Sequence, residues 1–197
     1  MFIVLDGCDG SGKSTAAKAL QKYLLEELHV DALWTRDPGG TPDAEKLRDM
    51  LLSSKKDKYT EFFLFQASRA NLLHACIIPA LEAGKWVIVD RFIPSTFVYQ
   101  VVDAGVPRSL FDECTAALLA GLPEQPKNFV LEVSFETSQY RLSCRQEQSN
   151  HFDITKREVF DRRSHGYNVY AQQTRSVLID ANGSTDSIVQ QIVSNLV

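Results

Sequence analysis

Five short apolar runs punctuate the chain: Phe2 to Leu5, Ala32 to Thr35, Trp86 to Val89, Phe129 to Val133, and Val177 to Ile179. Most are rich in β-branched or aromatic residues. Near-continuous hydrophobicity of this kind predicts strands buried on both faces of a parallel sheet. Longer segments of helical period lie between them. Ala16, Ala19, Leu20, Tyr23 and Leu24 form one apolar stripe, and Phe62, Phe65, Leu72, Leu73 and Ala75 fall on a second, longer helix. Phe111, Cys114, Ala117 and Leu118 mark a third, and Ile188, Ile192 and Leu196 the last. Strand–helix alternation predicts an α/β fold with a doubly wound parallel sheet and right-handed crossovers. Three polar stretches read as loops: Ser53 to Lys58, Gly121 to Lys127, and Gln146 to Thr155.

Composition adds limits. The 197 residues suit one domain, and 44% hydrophobic with 23% charged residues is ordinary globular usage. The formal net charge of -4 lacks the global attraction to phosphate polymers that a nucleic-acid clamp needs, so no nucleic-acid polymer is expected as partner. Small anionic ligands remain compatible with it. Cys8, Cys76, Cys114 and Cys144 offer no C-x-x-C or zinc spacing and read as free thiols. The opening Met1-Phe2-Ile3-Val4-Leu5-Asp6 has no basic leader and is far shorter than the ~20 apolar residues of a membrane span. The expectation is a cytoplasmic protein without membrane association.

The chemistry starts at Gly7-Cys8-Asp9-Gly10-Ser11-Gly12-Lys13-Ser14-Thr15, which matches G-x-x-x-x-G-K-[ST]. A predicted strand precedes it and an amphipathic helix follows, the context that gives this P-loop motif meaning. Its glycines let backbone N–H groups converge on phosphate oxygens, and the helix N-terminus adds partial positive charge. Lys13 is expected to reach the β- and γ-phosphates of ATP, and Ser14 to ligate Mg²⁺. Trp86-Val87-Ile88-Val89-Asp90 is a strand ending in a carboxylate, which makes Asp90 a second metal candidate at the sheet edge where ligands gather. Arg36, Arg69 and Arg91 are expected to converge on that edge, a set of forked donors suited to a phosphate-bearing acceptor.

Three segments then carry a resemblance: Arg36-Asp37-Pro38-Gly39-Gly40-Thr41, Phe65-Gln66-Ala67-Ser68-Arg69, and Asp90 through Gln100. Their order and spacing resemble the thymidylate kinases from residue 2 to about 120, and the Asp180-Ala181-Asn182-Gly183 turn resembles that family's adenine-side loop. The resemblance implies a single P-loop NTPase domain over 1–197 with a five-stranded sheet and a mobile lid around 141–157. It implies transfer of the γ-phosphoryl group of ATP, with Mg²⁺, to dTMP, giving dTDP. Phe65 would then stack on thymine, Arg69 would bond the base edge, and Thr96 and Gln100 would face the base. Arg36 and Arg91 would clamp the acceptor's phosphate, with Arg48 nearby and Pro38 in the pocket wall. Tyr99 would lie beneath the sugar and disfavour a 2′-hydroxyl, and Asp9 would accept the 3′-hydroxyl or help position a metal-bound water.

Some members of that family carry a catalytic arginine in the cradle, where this chain has Gly10. By resemblance the arginine should come from the lid, Arg145 first and Arg141 second, in a segment with fewer arginines than the bacterial pattern. Tyr167 to Tyr170 reads as helix packing. A homodimer is implied, paired near Tyr59 to Leu81. A P-loop kinase for another or modified deoxynucleoside monophosphate stays open, as do a deoxynucleoside kinase and a non-catalytic nucleotide-binding switch.

Overall fold

The first strand, β1 (Phe2–Gly7), is fully buried along its length and sits at the centre of the sheet in this computed structural model. The structure describes residues 1–144 and 156–196. The elements that follow β1 are α1 (Lys13–Leu28), β2 (Ala32–Arg36), α2 (Pro42–Ser53) and α3 (Lys58–Leu72). Helix α3 runs on through a π-helical turn, Leu73–Ile77, into the short α4 (Ile78–Glu82). Pro79, which has no N–H to donate, stands at the start of α4 and accounts for the change of winding. Next come β3 (Trp86–Asp90), α5 (Ile93–Thr96), a π-helical segment Phe97–Asp103, and α6 (Arg108–Leu119). The chain finishes with β4 (Lys127–Glu132), α7 (Phe135–Ser143), α8 (Arg157–Thr174), β5 (Val177–Asp180) and α9 (Thr185–Ser194).

Among the described residues the strands form one parallel sheet in the order β2-β3-β1-β4-β5. The doubly wound architecture expected from the sequence is the one observed. The chain reverses winding direction on either side of β1, so a crevice opens at the carboxyl ends of β1 and β3, where this topology binds ligands. Register aligns the two strands there: Leu5 lies beside Asp90, and Arg36 of β2 lies on its other side. Phe2, Ile3, Val4, Leu5, Val87, Ile88 and Val89 are wholly buried, with Leu20 and Leu24 of α1 packed into the same core. Burying such side chains is worth ~1.5–3 kcal/mol each, so this frame is the rigid base of the crevice.

Two parts of the sequence reading need adjustment. Strands extend past their apolar runs onto further residues (Asp6, Gly7, Arg36, Asp180), because backbone ladder pairing does not end where hydrophobicity does, while β3 ends at Asp90 as expected. Ala75 lies in the π-helical turn rather than in a continuous α-helix.

Candidate functional site

The cradle follows β1 directly. Gly12 caps α1 in the left-handed conformation and contributes no side-chain hydrogen bond, so the first-turn N–H groups face the cleft. Lys13 lies across the loop and donates to the Cys8 carbonyl (2.8 Å) and Ser11 Oγ (3.3 Å). Burial and the nearby Arg91 pull the Lys13 ammonium down to about 8. Cys8 is pushed the other way, to about 12, by burial, and is a packed thiol rather than a nucleophile. Gly10 has φ +75°, and a Cβ there would stand 2.6 Å from the backbone oxygen of Ser138. The cradle therefore has no room for a side chain at this position. Ser138 Oγ ties α7 to the loop by donating to the Asp9 carbonyl (2.8 Å).

Ser14 and Asp90, the two expected metal candidates, lie together: the Ser14 hydroxyl donates to Asp90 Oδ2 in a short hydrogen bond. Asp90 Oδ1 is buried and, among the described residues, has no hydrogen-bond partner. A hydroxyl beside an unsatisfied carboxylate oxygen is a donor set that fits Mg²⁺, an oxygen-seeking cation.

Two cavities open from this edge. The larger, of about 810 Å³, runs over the cradle and is lined by Gly10, Gly12, Lys13, Ser14, Thr15 and, at its far end, Gly183 to Thr185. The smaller is lined by Pro38, Phe65, Arg69, Thr96, Tyr99 and Gln100, which brings together most of the predicted acceptor residues. Asp9, Asp37, Arg48 and Arg91 line both. Phe65 and Tyr99 are only partly buried and form cavity wall, and Tyr99 also packs against the edge of the core. Gln100 is 1% exposed and, among the described residues, its Nε2 has no acceptor, an amide left open at the cavity edge.

The arginines are distributed differently from the expected convergence. Arg69 is an interior ion: its Nε donates to Asp37 (2.7 Å), Nη1 to Gln66 Oε1 (2.6 Å), and Nη2 to Thr96 Oγ1 (2.7 Å) and the Phe92 carbonyl (3.1 Å). One Nη1 proton is left for a ligand. Burial nonetheless raises the Asp37 carboxyl above its usual range, against the pull of Arg69. Arg36 is half exposed, pairs with Glu45 at 3.0 Å, and lines the larger cavity rather than the acceptor one. A signal for that pair exists in the sequence, since Glu45 lies on the helix that follows the Pro38-Gly39-Gly40 turn. Arg48 donates to the Pro38 carbonyl (3.0 Å) and, among the described residues, forms no ion pair, with the Glu45 and Asp90 carboxylates acting on it only from further away. Arg91 has φ 67°, a left-handed backbone that costs a non-glycine residue ~1–3 kcal/mol. Its guanidinium pairs with Asp9 and donates to Ser95 Oγ (3.1 Å). Asp9 also accepts from the Tyr99 hydroxyl (2.9 Å). Burial disfavours the Asp9 carboxylate, but Arg91, Lys13 and the Tyr99 hydrogen bond together hold it below its ordinary range.

Arg141 donates to four backbone carbonyls: Ala181 (2.8 Å), Gly183 (2.9 Å), Ser11 (3.3 Å) and Gly10 (3.4 Å). It thereby links α7 to the cradle and to the predicted adenine-side turn. Residues 141–143 and 157 of the expected lid are helical, in α7 and α8. Arg145 lies outside the described residues, as does the polar segment after it.

Sequence reading missed Asp6. Its buried carboxylate accepts from the backbone N–H of Gly7 (2.9 Å), Phe92 (3.0 Å) and Ser95 (3.0 Å), and from the hydroxyls of Ser95 (2.7 Å) and Tyr167 (2.9 Å). These bonds bracket Arg91 and fix its left-handed turn. Tyr167 is accordingly more than helix packing, because its hydroxyl also meets Ser95 Oγ at 3.0 Å. As the last polar residue of an apolar run, Asp6 gave no signal of its own.

The profile of the thymidylate kinase family matches residues 5–192. The chain belongs to the thymidylate kinase family. It is 36% identical to the thymidylate kinase of Mesoplasma florum over 97% of this chain and 92% of that one. It is similarly 35% identical to the thymidylate kinase of Ruegeria pomeroyi (98% and 92% covered) and 34% to that of Chlorobium limicola (100% and 94% covered). The five-stranded parallel sheet flanked by helices is thus the fold of a thymidylate kinase, matched over nearly the whole chain.

Proposed function

We infer that this chain is a dTMP kinase, transferring the γ-phosphoryl group of ATP to the 5′-phosphate of dTMP to give dTDP and ADP. The observation that carries this reading is the shared wall: Asp9, Asp37, Arg48 and Arg91 border both cavities, so a donor in one faces an acceptor in the other. The acceptor phosphate is already ionised, so catalysis needs alignment and charge neutralisation rather than a strong base. Lys13 and the α1 N-terminus bind the donor phosphates, with Gly7, Gly10, Ser11, Gly12 and Thr15 shaping their cradle. Mg²⁺ would be held by Ser14 and Asp90 and would supply positive charge at the donor phosphates.

On the acceptor side, Arg91 and Arg48 orient the phosphate, and Arg36 joins them on leaving Glu45. Phe65 offers an aromatic face to thymine, and Arg69, Thr96 and Gln100 offer polar groups to its edge. Tyr99 closes the sugar end, and Asp9 receives the 3′-hydroxyl or orders water there while fixing Arg91. Arg145 is assigned the charge developing on the transferring group, within a lid around 141–157, and Arg141 the positioning of the cradle against the adenine-side turn.

Two further readings accompany this one. A homodimer is supported by Met50 (52% exposed) and Phe63 (52% exposed) on the neighbouring helices α2 and α3. A cytoplasmic location is supported by four free cysteines; among the described residues no helix is long and apolar enough to cross a membrane.

The test is coupled ADP release with ATP and Mg²⁺ against dTMP, dUMP, dGMP, dCMP, UMP and thymidine. Turnover centred on dTMP and lost in Arg91→Ala supports the reading. Turnover on a different monophosphate refutes the thymine pocket, and ADP release independent of any acceptor refutes the kinase.

A further inference from the structure

Tyr99 is gripped from a helix that contributes nothing to either cavity wall. Arg163 of α8 places its guanidinium over the Tyr99 ring, 4.1 Å from the ring centroid. The same side chain donates through Nε to Asp103 Oδ2, while Arg162 Nε donates to Asp103 Oδ1 (2.7 Å). Asp103 and Tyr99 lie on one π-helical segment, so Arg163 bridges the segment's end and its aromatic. Arg163 is 10% exposed and Asp103 12% at their side chains, so the pair is shielded and weakly screened. Close packing makes this reach possible. At Gly166, one turn further along α8, an added Cβ would stand 3.3 Å from Val98 and 3.4 Å from Val102 of the same segment.

The Tyr99 hydroxyl is meanwhile anchored on Asp9. The ring is therefore fixed at its tip by the cradle and on its face by α8, and a ring so held cannot yield to a larger ligand. A cation stacked on an aromatic face is attracted to the negative face of the ring, the more so where water is excluded.

We propose that Arg163, locked by Asp103, is a positioning residue that holds Tyr99 rigid at the sugar end of the acceptor cavity and thereby sets discrimination between deoxyribose and ribose monophosphates. The proposal rests on reading that cavity as the dTMP site. Arg163 does not line the cavity; it reaches the site through the Tyr99 ring that it covers and, by its charge, helps hold the Asp9 carboxylate ionised.

The experiment compares kcat/KM for dTMP and for ribothymidine 5′-monophosphate, which differ only in the 2′-hydroxyl. A wall that excludes one hydroxyl discriminates on the order of 10²-fold. In Arg163→Met the ratio should fall about tenfold, with the ribose substrate losing less than dTMP or gaining. Arg163→Lys, which cannot stack and fork onto Asp103 together, should fall between, and Asp103→Asn should loosen the ratio in the same direction. Tyr99→Ala should relax it most, and adding Arg163→Met to Tyr99→Ala should change it no further. A purely structural role for Arg163 would lower both kcat/KM values together and leave the ratio unmoved; that result overturns the proposal. If Arg163→Met does not fold, an unchanged ratio in both Arg163→Lys and Asp103→Asn overturns it equally. A ratio unmoved even in Tyr99→Ala refutes the assignment of the sugar end, and no turnover of dTMP by the unmodified protein refutes the kinase reading itself.

Discussion

Removing Arg69 alone should destabilise the protein far more than removing it together with its partner. In Arg69→Met the Asp37 carboxylate, whose side chain is wholly inaccessible, loses its counter-ion, and Gln66, Thr96 and the Phe92 carbonyl lose a donor. Breaking a buried pair from one side costs ~3–5 kcal/mol, because a bare charge is left behind. For a chain of this size each kcal/mol moves the midpoint ~2–4 °C, so Tm should drop by about 6–20 °C. The drop must also depend on pH. A carboxyl whose folded-state pKa is raised binds protons more tightly folded than unfolded, so its stability cost appears as pH climbs from the ordinary carboxylate value through the raised one. Without Arg69 the Asp37 carboxyl rises further, and the variant's deficit should shrink between about pH 7 and about pH 5 as that carboxyl takes up a proton. The double variant Asp37→Asn/Arg69→Met should recover much of the loss at neutral pH. Thermal or urea unfolding of the three proteins at each pH decides the matter. A deficit equal at both pH values, or a double variant as unstable as the single one, refutes the argument from an uncompensated buried charge.

Binding of a triphosphate should raise the depressed Lys13 ammonium, so ATP binding near pH 8.5 should take up a proton; calorimetry in buffers of differing ionisation enthalpy measures this, and no uptake in the native protein contradicts the cradle role of Lys13. Asp6→Asn keeps the shape but weakens five accepted hydrogen bonds around the Arg91 turn, so KM for dTMP should rise about tenfold or more while affinity for ATP moves little. Gly10→Ala meets both a left-handed backbone and the Ser138 carbonyl, and should weaken ATP binding about tenfold by displacing the cradle, readable by titration of a fluorescent ATP analogue.

What the sequence revealed was local. The cradle could be read because its residues are contiguous, and the strands because parallel, two-sided burial demands uninterrupted apolar runs such as Trp86 to Val89. Helix α2 gave no comparable signal: only Ala44 and Leu51 of its residues are buried, too few for a stripe. The acceptor residues emerged through resemblance, since Phe65 and Tyr99 look like any core aromatic until a cavity is seen beside them. Charge compensation was the hidden layer. Nothing in the spacing of Asp37 and Arg69, or of Asp6 and Tyr167, which stand 161 positions apart, reveals that they meet. Arg36 and Arg69 were legible as cations but not as cations already paired, and pairing decides how much field each lends to a phosphate.

The alignment of Leu5 with Asp90 makes the molecule a ruler with one fixed division. In the proposed reading Asp90 faces the donor side through Ser14, and the very next residue, Arg91, serves the acceptor side. The spacing between the two phosphate-handling stations is therefore one peptide unit, set by ladder pairing and independent of how the rest of the chain is arranged. Length can change without consequence where strands begin, at the Gly84 turn or between Gly121 and Pro126, far from that edge. A single residue deleted within Val87 to Val89 would shift the Asp90 carboxylate out of its place beside Leu5 and draw the Arg91 guanidinium into it, exchanging opposite charges at that edge. In this family member, tolerance to insertion and deletion should divide the sheet into a permissive amino-terminal edge and an intolerant carboxyl-terminal one.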